Sequence, residues 1–131
     1  MKRNRLLLDT NAVLYFLSDR SISALKEAFS ISFVTEIELL SYPYMKTSEE
    51  IKIKEFLDIV KIVDVNKSIK EKTIFLRRKY RLKVPDAIIC ATAFFLEAIL
   101  VTNDRQLHRV EEIPVIDYET FRRKYTEFKE A

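Results

Sequence analysis

The sequence has no glycine among its 131 residues, and only one cysteine and one histidine. Without glycine, the Walker and Rossmann phosphate loops are excluded, because only glycine lets their backbones come so close to phosphate. A single cysteine, Cys90, excludes an internal disulfide, and its apolar neighbours predict a small buried hydrophobic residue. One histidine, His108, is too few for a histidine-pair nuclease or a multi-His/Cys zinc site. Any catalysis therefore has to rest on carboxylates.

Long apolar runs are also missing. No segment approaches the ~20 apolar residues of a membrane span, and the apolar stretch after the basic N-terminus is too short for a signal sequence. The net charge of +3 is too small to indicate a nucleic-acid partner by itself, although it is compatible with one. With 48% hydrophobic and 33% charged residues, we expect a cytoplasmic protein of one domain, residues 1–131.

Apolar runs and helical periodicity alternate along the chain. Strands are predicted at 6–8, 31–34, 61–65, 98–101 and 114–117, and helices at 10–17, 21–29, from 35, from 47, 68–80, 87–97 and 118–129. Capping boxes are predicted for Thr47 with Glu50 and for Ser68 with Glu71. The alternation predicts an α/β fold, with a parallel sheet of about five strands between helices.

Four carboxylates follow strands or open helices at what would be one edge of that sheet. Asp9 directly follows the first strand, Glu38 lies in the helix after the second, Asp86 opens the most apolar helix, and Asp104 follows a later strand. Ligands bind at the carboxyl ends of parallel strands. Carboxylates gathered there repel one another unless a cation lies between them. Mg²⁺ or Mn²⁺ prefers such oxygen ligands, so we predict a divalent metal site that acts on a phosphodiester.

Each carboxylate also has an ordinary structural alternative. Asp9 would cap a helix, and Glu38 would complete a capping box with Thr35. Asp86 would complement a helix dipole, and Asp104 would cap a turn. It is the joint placement of the four that favours a metal site.

The segments that carry these acids resemble the successive motifs of the PIN domain. They are Leu-Leu-Leu-Asp-Thr-Asn (6–11), Thr-Glu-Ile-Glu-Leu-Leu (35–40), Val-Pro-Asp-Ala-Ile-Ile-Cys-Ala-Thr-Ala (84–93) and Leu-Val-Thr-Asn-Asp (100–104). The size and layout resemble the toxin ribonucleases of VapBC-type toxin–antitoxin pairs. The resemblance implies an α/β/α sandwich, Mg²⁺- or Mn²⁺-dependent endoribonuclease activity, frequent homodimers and inhibition by a cognate antitoxin.

The resemblance also implies roles for single residues. Four residues match the family's acidic, catalytic and metal-binding positions: Asp9, Glu38, Asp86 and Asp104. Asn11 and Thr102 match polar positions beside them. Glu36 is the alternative to Glu38, which we prefer because the family's acid usually directly precedes a leucine, here Leu39.

Basic residues precede Asp86 and could guide an RNA backbone toward the metal. The candidate RNA-contacting residues are Arg77, Arg78, Arg81 and Lys83, together with Arg105. Arg105 belongs to the segment 105–107, which stands where the family commonly has an acidic-aromatic pair. A solvated helix face is an equal alternative for the basic run. For His108 a surface role is favoured over a phosphate contact.

Rival functions are a haloacid-dehalogenase-type phosphohydrolase, a response-receiver module and a catalytically inactive PIN-like RNA-binding or scaffold module. The first needs a second aspartate where Asn11 stands, and the second needs an acidic pair after the first strand. The intact set of four acids argues against the third. The apolar residues at 12–17 and 42–45 predict a homodimer and a nearby antitoxin groove, with burial in the core as the alternative.

Overall fold

The structure is a computed structural model that describes residues 5–19, 22–25 and 28–128. The elements in chain order are β1 (Leu6–Leu8), α1 (Thr10–Ser18), β2 (Ile22–Leu25), β3 (Phe29–Ser32), α2 (Phe33–Leu40), α3 (Thr47–Ile59), β4 (Lys61–Val63), α4 (Lys67–Tyr80), α5 (Val84–Leu96), β5 (Ile99–Val101), a 3₁₀ turn (Leu107–Arg109), β6 (Val115–Ile116), α6 (Tyr118–Tyr125) and β7 (Thr126–Phe128). None of these helices has both the length and the hydropathy needed to cross a bilayer.

Five strands form one parallel sheet in the order β4-β3-β1-β5-β6. The central strand is β1, whose Leu6 lies opposite Phe29 of β3 and Ile99 of β5. Because all strand pairs are parallel, their carboxyl ends share one edge, which we call the carboxyl edge. The predicted five-stranded parallel sheet is confirmed.

Helices cover both faces of this sheet. Leu7 packs into the core formed with α4 and α5, whereas Leu6 and Leu8 pack into the core formed with α1, α3 and α6. All three leucines are fully buried. Side chains alternate along a strand, so a strand covered on both faces must be apolar throughout. This explains the uninterrupted leucine run and confirms the α/β/α sandwich.

Helix α5 lies across the sheet and buries most of its residues. Cys90 is fully buried within it, and burial raises the pKa of its thiol to about 12, so the prediction of an unreactive buried cysteine is confirmed. Although this is the most apolar helix of the sequence, its burial is incomplete. Phe94 and Phe95, near its C-terminus, are 41% and 47% exposed.

A second, two-stranded antiparallel sheet corrects two predicted helices. Residues 22–25 form β2 instead of the predicted helix over 21–29, and β7 replaces the end of the helix predicted over 118–129. Positions 21, 26, 27 and 129 of those predictions lie outside the described residues. Ile22 pairs with Phe128, more than a hundred positions away. Strand preference depends on the partner strand, and no local pattern revealed so distant a partner.

Both predicted capping boxes are wrong, because residues further upstream cap the helices. The N-cap of α3 is Lys46, whose N–H donates to Glu49 Oε1 at 3.0 Å. The N-cap of α4 is Asn66, whose side chain accepts a hydrogen bond from the N–H of Ile69 at 2.8 Å. Asparagine caps a helix as well as serine does, so the sequence offered two neighbouring choices for α4.

Two helices end in residues with positive φ that are not glycine, namely Arg81 (58°) after α4 and Glu97 (54°) after α5. At the end of α5, the N–H of Glu97 donates to Phe94 O at 3.1 Å and that of Ala98 to Ala93 O at 2.9 Å. This pair of bonds is the Schellman motif, which usually places glycine where Glu97 stands. A chain without glycine has to accept a Cβ atom in this conformation.

Candidate active site

Asp9 lies at the carboxyl edge, between β1 and α1. Its Oδ1 accepts a hydrogen bond from the N–H of Ala12 at 2.9 Å, so the helix-capping alternative is realised. Asp9 is only 8% exposed, and burial raises the pKa of its carboxyl group. Hydrogen bonds from Thr102 and Ala12 oppose this rise, whereas the charges of Asp104 and Asp86 add to it. Asp9 therefore both caps α1 and faces two other acids.

Glu38 lies on α2, which begins two residues earlier than predicted. Ser32 is the N-cap of α2 and accepts a hydrogen bond from the N–H of Val34 at 3.1 Å. A capping box of Thr35 with Glu38 is therefore wrong. Glu38 instead accepts a hydrogen bond from the Thr10 hydroxyl, which lies 3.3 Å from the Thr35 hydroxyl. The start of α1 thus positions Glu38.

Asp86 is in the first turn of α5 and is half-buried. Burial raises the pKa of its carboxyl group, and the negative charges of Asp104 and Glu38 raise it further. Lys83 lowers this pKa and so lies near enough to act on Asp86. The helix-dipole role proposed for Asp86 fits its position, but two neighbouring acids face it as well.

Asp104 belongs to the loop after β5 and is exposed. Its Oδ1 accepts a hydrogen bond from the N–H of Gln106 at 2.9 Å, so Asp104 does cap a turn. Its own N–H donates to Thr102 Oγ1 at 3.0 Å, and Thr102 also forms a hydrogen bond with Asp9. The fully buried Thr102 thus links the ends of β1 and β5.

A cavity of about 410 Å³ brings the predicted residues together. It is lined by the acids Asp9, Glu38, Asp86 and Asp104, with Thr10 and Asn11. Residues 41–43 and Ile89 complete its wall, and Glu36 is not among the lining residues. Sequence reasoning did not assign Thr10 or Ser41 to the site, and it assigned residues 42 and 43 to a partner surface instead. For Thr10, its position between Asp9 and Asn11 was a usable signal.

The donor set of this acidic cavity fits a hard divalent cation, because it offers carboxylate, hydroxyl and amide oxygens. Burial raises the pKa of Asp9 and of Asp86, and neighbouring acids raise both further, so a bound cation would relieve repulsion between these groups. Among the described residues, no three Asp, Glu, His or Cys side chains lie close enough together to hold an ion as they stand. Binding would therefore require some of these side chains to rotate.

The candidate RNA-contacting residues are dispersed. Lys83 lies beside Asp86, as the pKa of Asp86 shows. Arg77 instead donates through Nε to Leu82 O at 3.0 Å, and Arg78 lines a different cavity on α4. Arg81 is the exposed residue after α4, and Arg105 lines a separate cavity of about 890 Å³. Only Lys83 of the basic run is placed next to the acids by these contacts.

Comparisons with known proteins agree with this arrangement. The structure is similar to a chain of VapBC2 from Rickettsia felis bound to promoter DNA, with 19% identity, a TM-score of 0.71 and coverage of 86% of this chain and 98% of that chain. It is also similar to a chain of a toxin–antitoxin complex from Klebsiella pneumoniae, with 26% identity, a TM-score of 0.68 and coverage of 86% of this chain and 97% of that chain. A third similar structure is a chain of DNA-bound VapBC from Salmonella typhimurium, with 19% identity, a TM-score of 0.72 and coverage of 87% of this chain and 98% of that chain. No curated protein matches significantly. The PIN domain model matches residues 6–113, a range that includes all four acids. The chain therefore belongs to the PIN domain family.

Proposed function

We propose that the protein is a metal-dependent endoribonuclease and the toxin of a toxin–antitoxin pair. The observation that carries this proposal is the gathering of Asp9, Glu38, Asp86 and Asp104 around one cavity at the carboxyl edge. Membership of the PIN domain family supports nuclease chemistry at this edge. Structural similarity to chains from VapBC complexes supports the toxin role.

In this proposal Asp9, Asp86 and Asp104 would hold Mg²⁺ or Mn²⁺. When bound, the ion would polarise the phosphodiester and stabilise the leaving oxygen. Glu38 lies in the second turn of α2, is exposed and lines the cavity, so it would orient the attacking water or bind the ion through water. Asn11 and Thr102 would support these residues. Glu38 and Asp104 each keep a carboxylate oxygen for this task, because the hydrogen bond that each accepts from the protein uses only one.

The antitoxin would cover apolar side chains exposed on α1 and α2 and just beyond α2. Tyr15, Ile37, Leu40 and Tyr42 are all between 45% and 55% exposed. Residues 12–17 expose less apolar surface than their sequence suggests. Ala12 and Val13 are buried, and Leu14, Phe16 and Leu17 pack against the core, which leaves Tyr15 exposed. The neighbouring segment at 42–44 is exposed throughout.

We further propose that the protein forms a homodimer. Exposed aromatic side chains remain on α4 and α5, in addition to those near the acidic cavity. Light scattering at micromolar concentration should give twice the chain mass. A clean monomer under these conditions would contradict the dimer, without bearing on the nuclease.

Cleavage of RNA tests the central proposal. The purified protein should cut RNA only when Mg²⁺ or Mn²⁺ is present, and Asp9→Asn should reduce the rate by at least about 100-fold. Asparagine keeps the helix cap of α1, so this variant should stay folded. The matched control is Asp58→Asn, an exposed aspartate on α3, which should cleave like the wild type.

The alternative is a catalytically inactive PIN-like module that binds RNA or acts as a scaffold. It would bind RNA without cutting it, whichever divalent ion is added. Metal-dependent cleavage by the wild type that is lost in Asp9→Asn would exclude this alternative. Equal cleavage by the wild type and Asp9→Asn would point to a contaminating nuclease and contradict the proposed site.

A further inference from the structure

A second cavity, of about 890 Å³, lies next to the acidic cavity. The loop after β5 separates the two cavities. Asp104 lines the acidic cavity, whereas its sequence neighbours Asn103 and Arg105 line the second one. A polymer held with one unit in the acidic cavity would therefore meet the second cavity at an adjacent unit.

The carboxylates that line the second cavity are already bonded within the protein. Asp19 accepts a hydrogen bond from the Tyr118 hydroxyl at 2.8 Å, and Asp117 accepts one from a backbone N–H of α6 at 2.8 Å. Glu119 forms an ion pair of 2.9 Å with Arg122. These acids are therefore engaged in holding α6 and its surroundings in place.

The basic residues that line this cavity, Arg105 and His108, have fewer bonds within the protein than its acids do. The Arg105 side chain is exposed and makes neither a hydrogen bond nor an ion pair with any residue that the structure describes. His108 Nε2 lies 2.7 Å from the carbonyl oxygen of Thr102, and a carbonyl can only accept, so Nε2 carries a proton and donates. Nδ1 is then the ring nitrogen left for another partner. A guanidinium without an anionic partner is suited to a phosphate.

Two aromatic residues, Tyr15 and Tyr118, also line the second cavity. Tyr15 is 45% exposed, and its ring centroid lies 5.5 Å from that of the buried Tyr118 at an interplanar angle of 59°. Tyr118 is held at two points, by its hydroxyl bond to Asp19 and by its N–H, which donates to Asn103 Oδ1 at 2.8 Å. The fixed ring of Tyr118 thus supports the partly exposed ring of Tyr15. Unpaired bases of single-stranded RNA stack on such rings.

We propose that the second cavity binds the nucleotide of single-stranded RNA next to the one that is cleaved, with Tyr15 stacked on its base and Arg105 paired with its phosphate. This inference rests on the proposed ribonuclease function and narrows its substrate to unpaired strands. In a duplex the bases stay stacked on one another and do not reach Tyr15. Tyr15 and Arg105 thus act on substrate affinity rather than on the chemical step.

Two separate measurements test this inference. Binding of a fluorescent single-stranded RNA oligonucleotide is measured by anisotropy in buffer without divalent ions, and cleavage is measured with Mg²⁺. Tyr15→Ala should weaken binding and raise KM by about 10-fold, with kcat within about 2-fold of the wild type. Tyr15→Phe keeps the ring and should restore both values. Arg105→Gln should weaken binding and reduce the slope of log K against log salt by about one.

The control is Ile59→Ala, which also removes an exposed apolar side chain. Ile59 is 85% exposed at the last position of α3 and lines neither cavity. This variant should bind and cleave RNA like the wild type. A duplex of the same sequence should bind more weakly than the single strand and should respond little to Tyr15→Ala.

The outcomes separate this inference from the proposed function. Wild-type RNA affinity in both Tyr15→Ala and Arg105→Gln would overturn the inference, even if the wild type cleaves RNA. Lack of single-strand binding by the wild type would overturn it as well. Tyr15-dependent binding without metal-dependent cleavage would support the second cavity and contradict the nuclease proposal.

Discussion

At the residue scale, the carboxylates of the candidate site keep their local structural roles while they share one cavity. Asp9 caps α1 and Asp104 caps a turn, yet Asp104 also raises the pKa of both Asp9 and Asp86 in the cavity. A buried carboxylate with acidic neighbours costs stability. No hydrogen bond between these four acids offsets that cost in the structure described. Acids with pKa values shifted by burial and by like charges are common at functional sites.

Glu38→Gln should separate turnover from metal affinity. The amide keeps the size of the side chain but cannot accept a proton, so the cleavage rate should fall by about 100-fold or more while divalent binding changes less. Calorimetry and single-turnover cleavage measure the two quantities. Glu36→Gln, on the same helix but away from the cavity lining, is the control and should retain activity. Wild-type cleavage by Glu38→Gln would leave Glu38 only its hydrogen bond with Thr10.

Outside the site, Glu112 gives a residue-scale prediction about pH. Burial opposes its ionisation, but hydrogen bonds from Lys79 and Tyr80, both of 2.7 Å, outweigh this effect and hold its pKa below the usual 4.5. The resulting stability is present above pH 4.5 and is lost as the pH falls through the lowered folded-state pKa. Glu112→Gln should therefore lower Tm by about 1–3 °C at pH 7, and the difference should shrink below pH 4.5.

The control for Glu112 is its exposed neighbour Glu111. Thermal unfolding of Glu111→Gln should follow the wild type at every pH. A deficit of Glu112→Gln that stays constant from pH 7 to pH 3 would contradict an electrostatic origin.

At the element scale, the missing glycine leaves strain at helix ends. Glu97 closes the Schellman motif of α5 with φ of 54°, where a Cβ atom costs about 1 kcal/mol. Glu97→Gly should remove that cost. Glycine also makes the unfolded chain more flexible, which cancels part of the gain in stability, so the net rise in Tm should be about 2–3 °C. Differential scanning calorimetry measures this shift.

Glu97→Ala is the matched variant, because it removes the same side chain but keeps Cβ. It should unfold close to the wild-type temperature. Equal Tm values for the glycine and alanine variants would show that the gain does not come from backbone strain.

Elements were predictable from sequence where their signal was local. The leucine run of β1 and the apolar periodicity of α5 identified both elements, and their ends supplied two of the four candidate acids, Asp9 and Asp86. β2 and β7 were missed because each is defined by the other, at opposite ends of the chain. The caps lie one residue upstream of the prediction in α3, two in α4 and three in α2, and at α4 both Asn66 and Ser68 are residue types that cap helices.

At the scale of the whole molecule, a divalent ion should stabilise the fold. Because Asp9 and Asp86 face other acids, Mg²⁺ or Mn²⁺ at ten times its Kd should raise Tm by roughly 3–5 °C. Asp9→Asn should raise Tm in metal-free buffer, since it removes a buried charge, and should respond less to added metal. Asp58→Asn should respond like the wild type. Calorimetry that detects no divalent binding to the wild type would contradict the site.

The strand order has a consequence for when the acidic cavity is completed during synthesis. β1 is made first but lies between β3 and β5, and Asp9 acquires Asp104 as a neighbour only after the chain has extended past β5. A chain grows from its N-terminus, so a nascent chain that ends before β5 holds Asp9 without Asp104. Pairing β5 with β1 also closes a long loop, which is a slow step in folding. On the proposed function, chains left unfinished by interrupted synthesis should therefore lack cleavage activity.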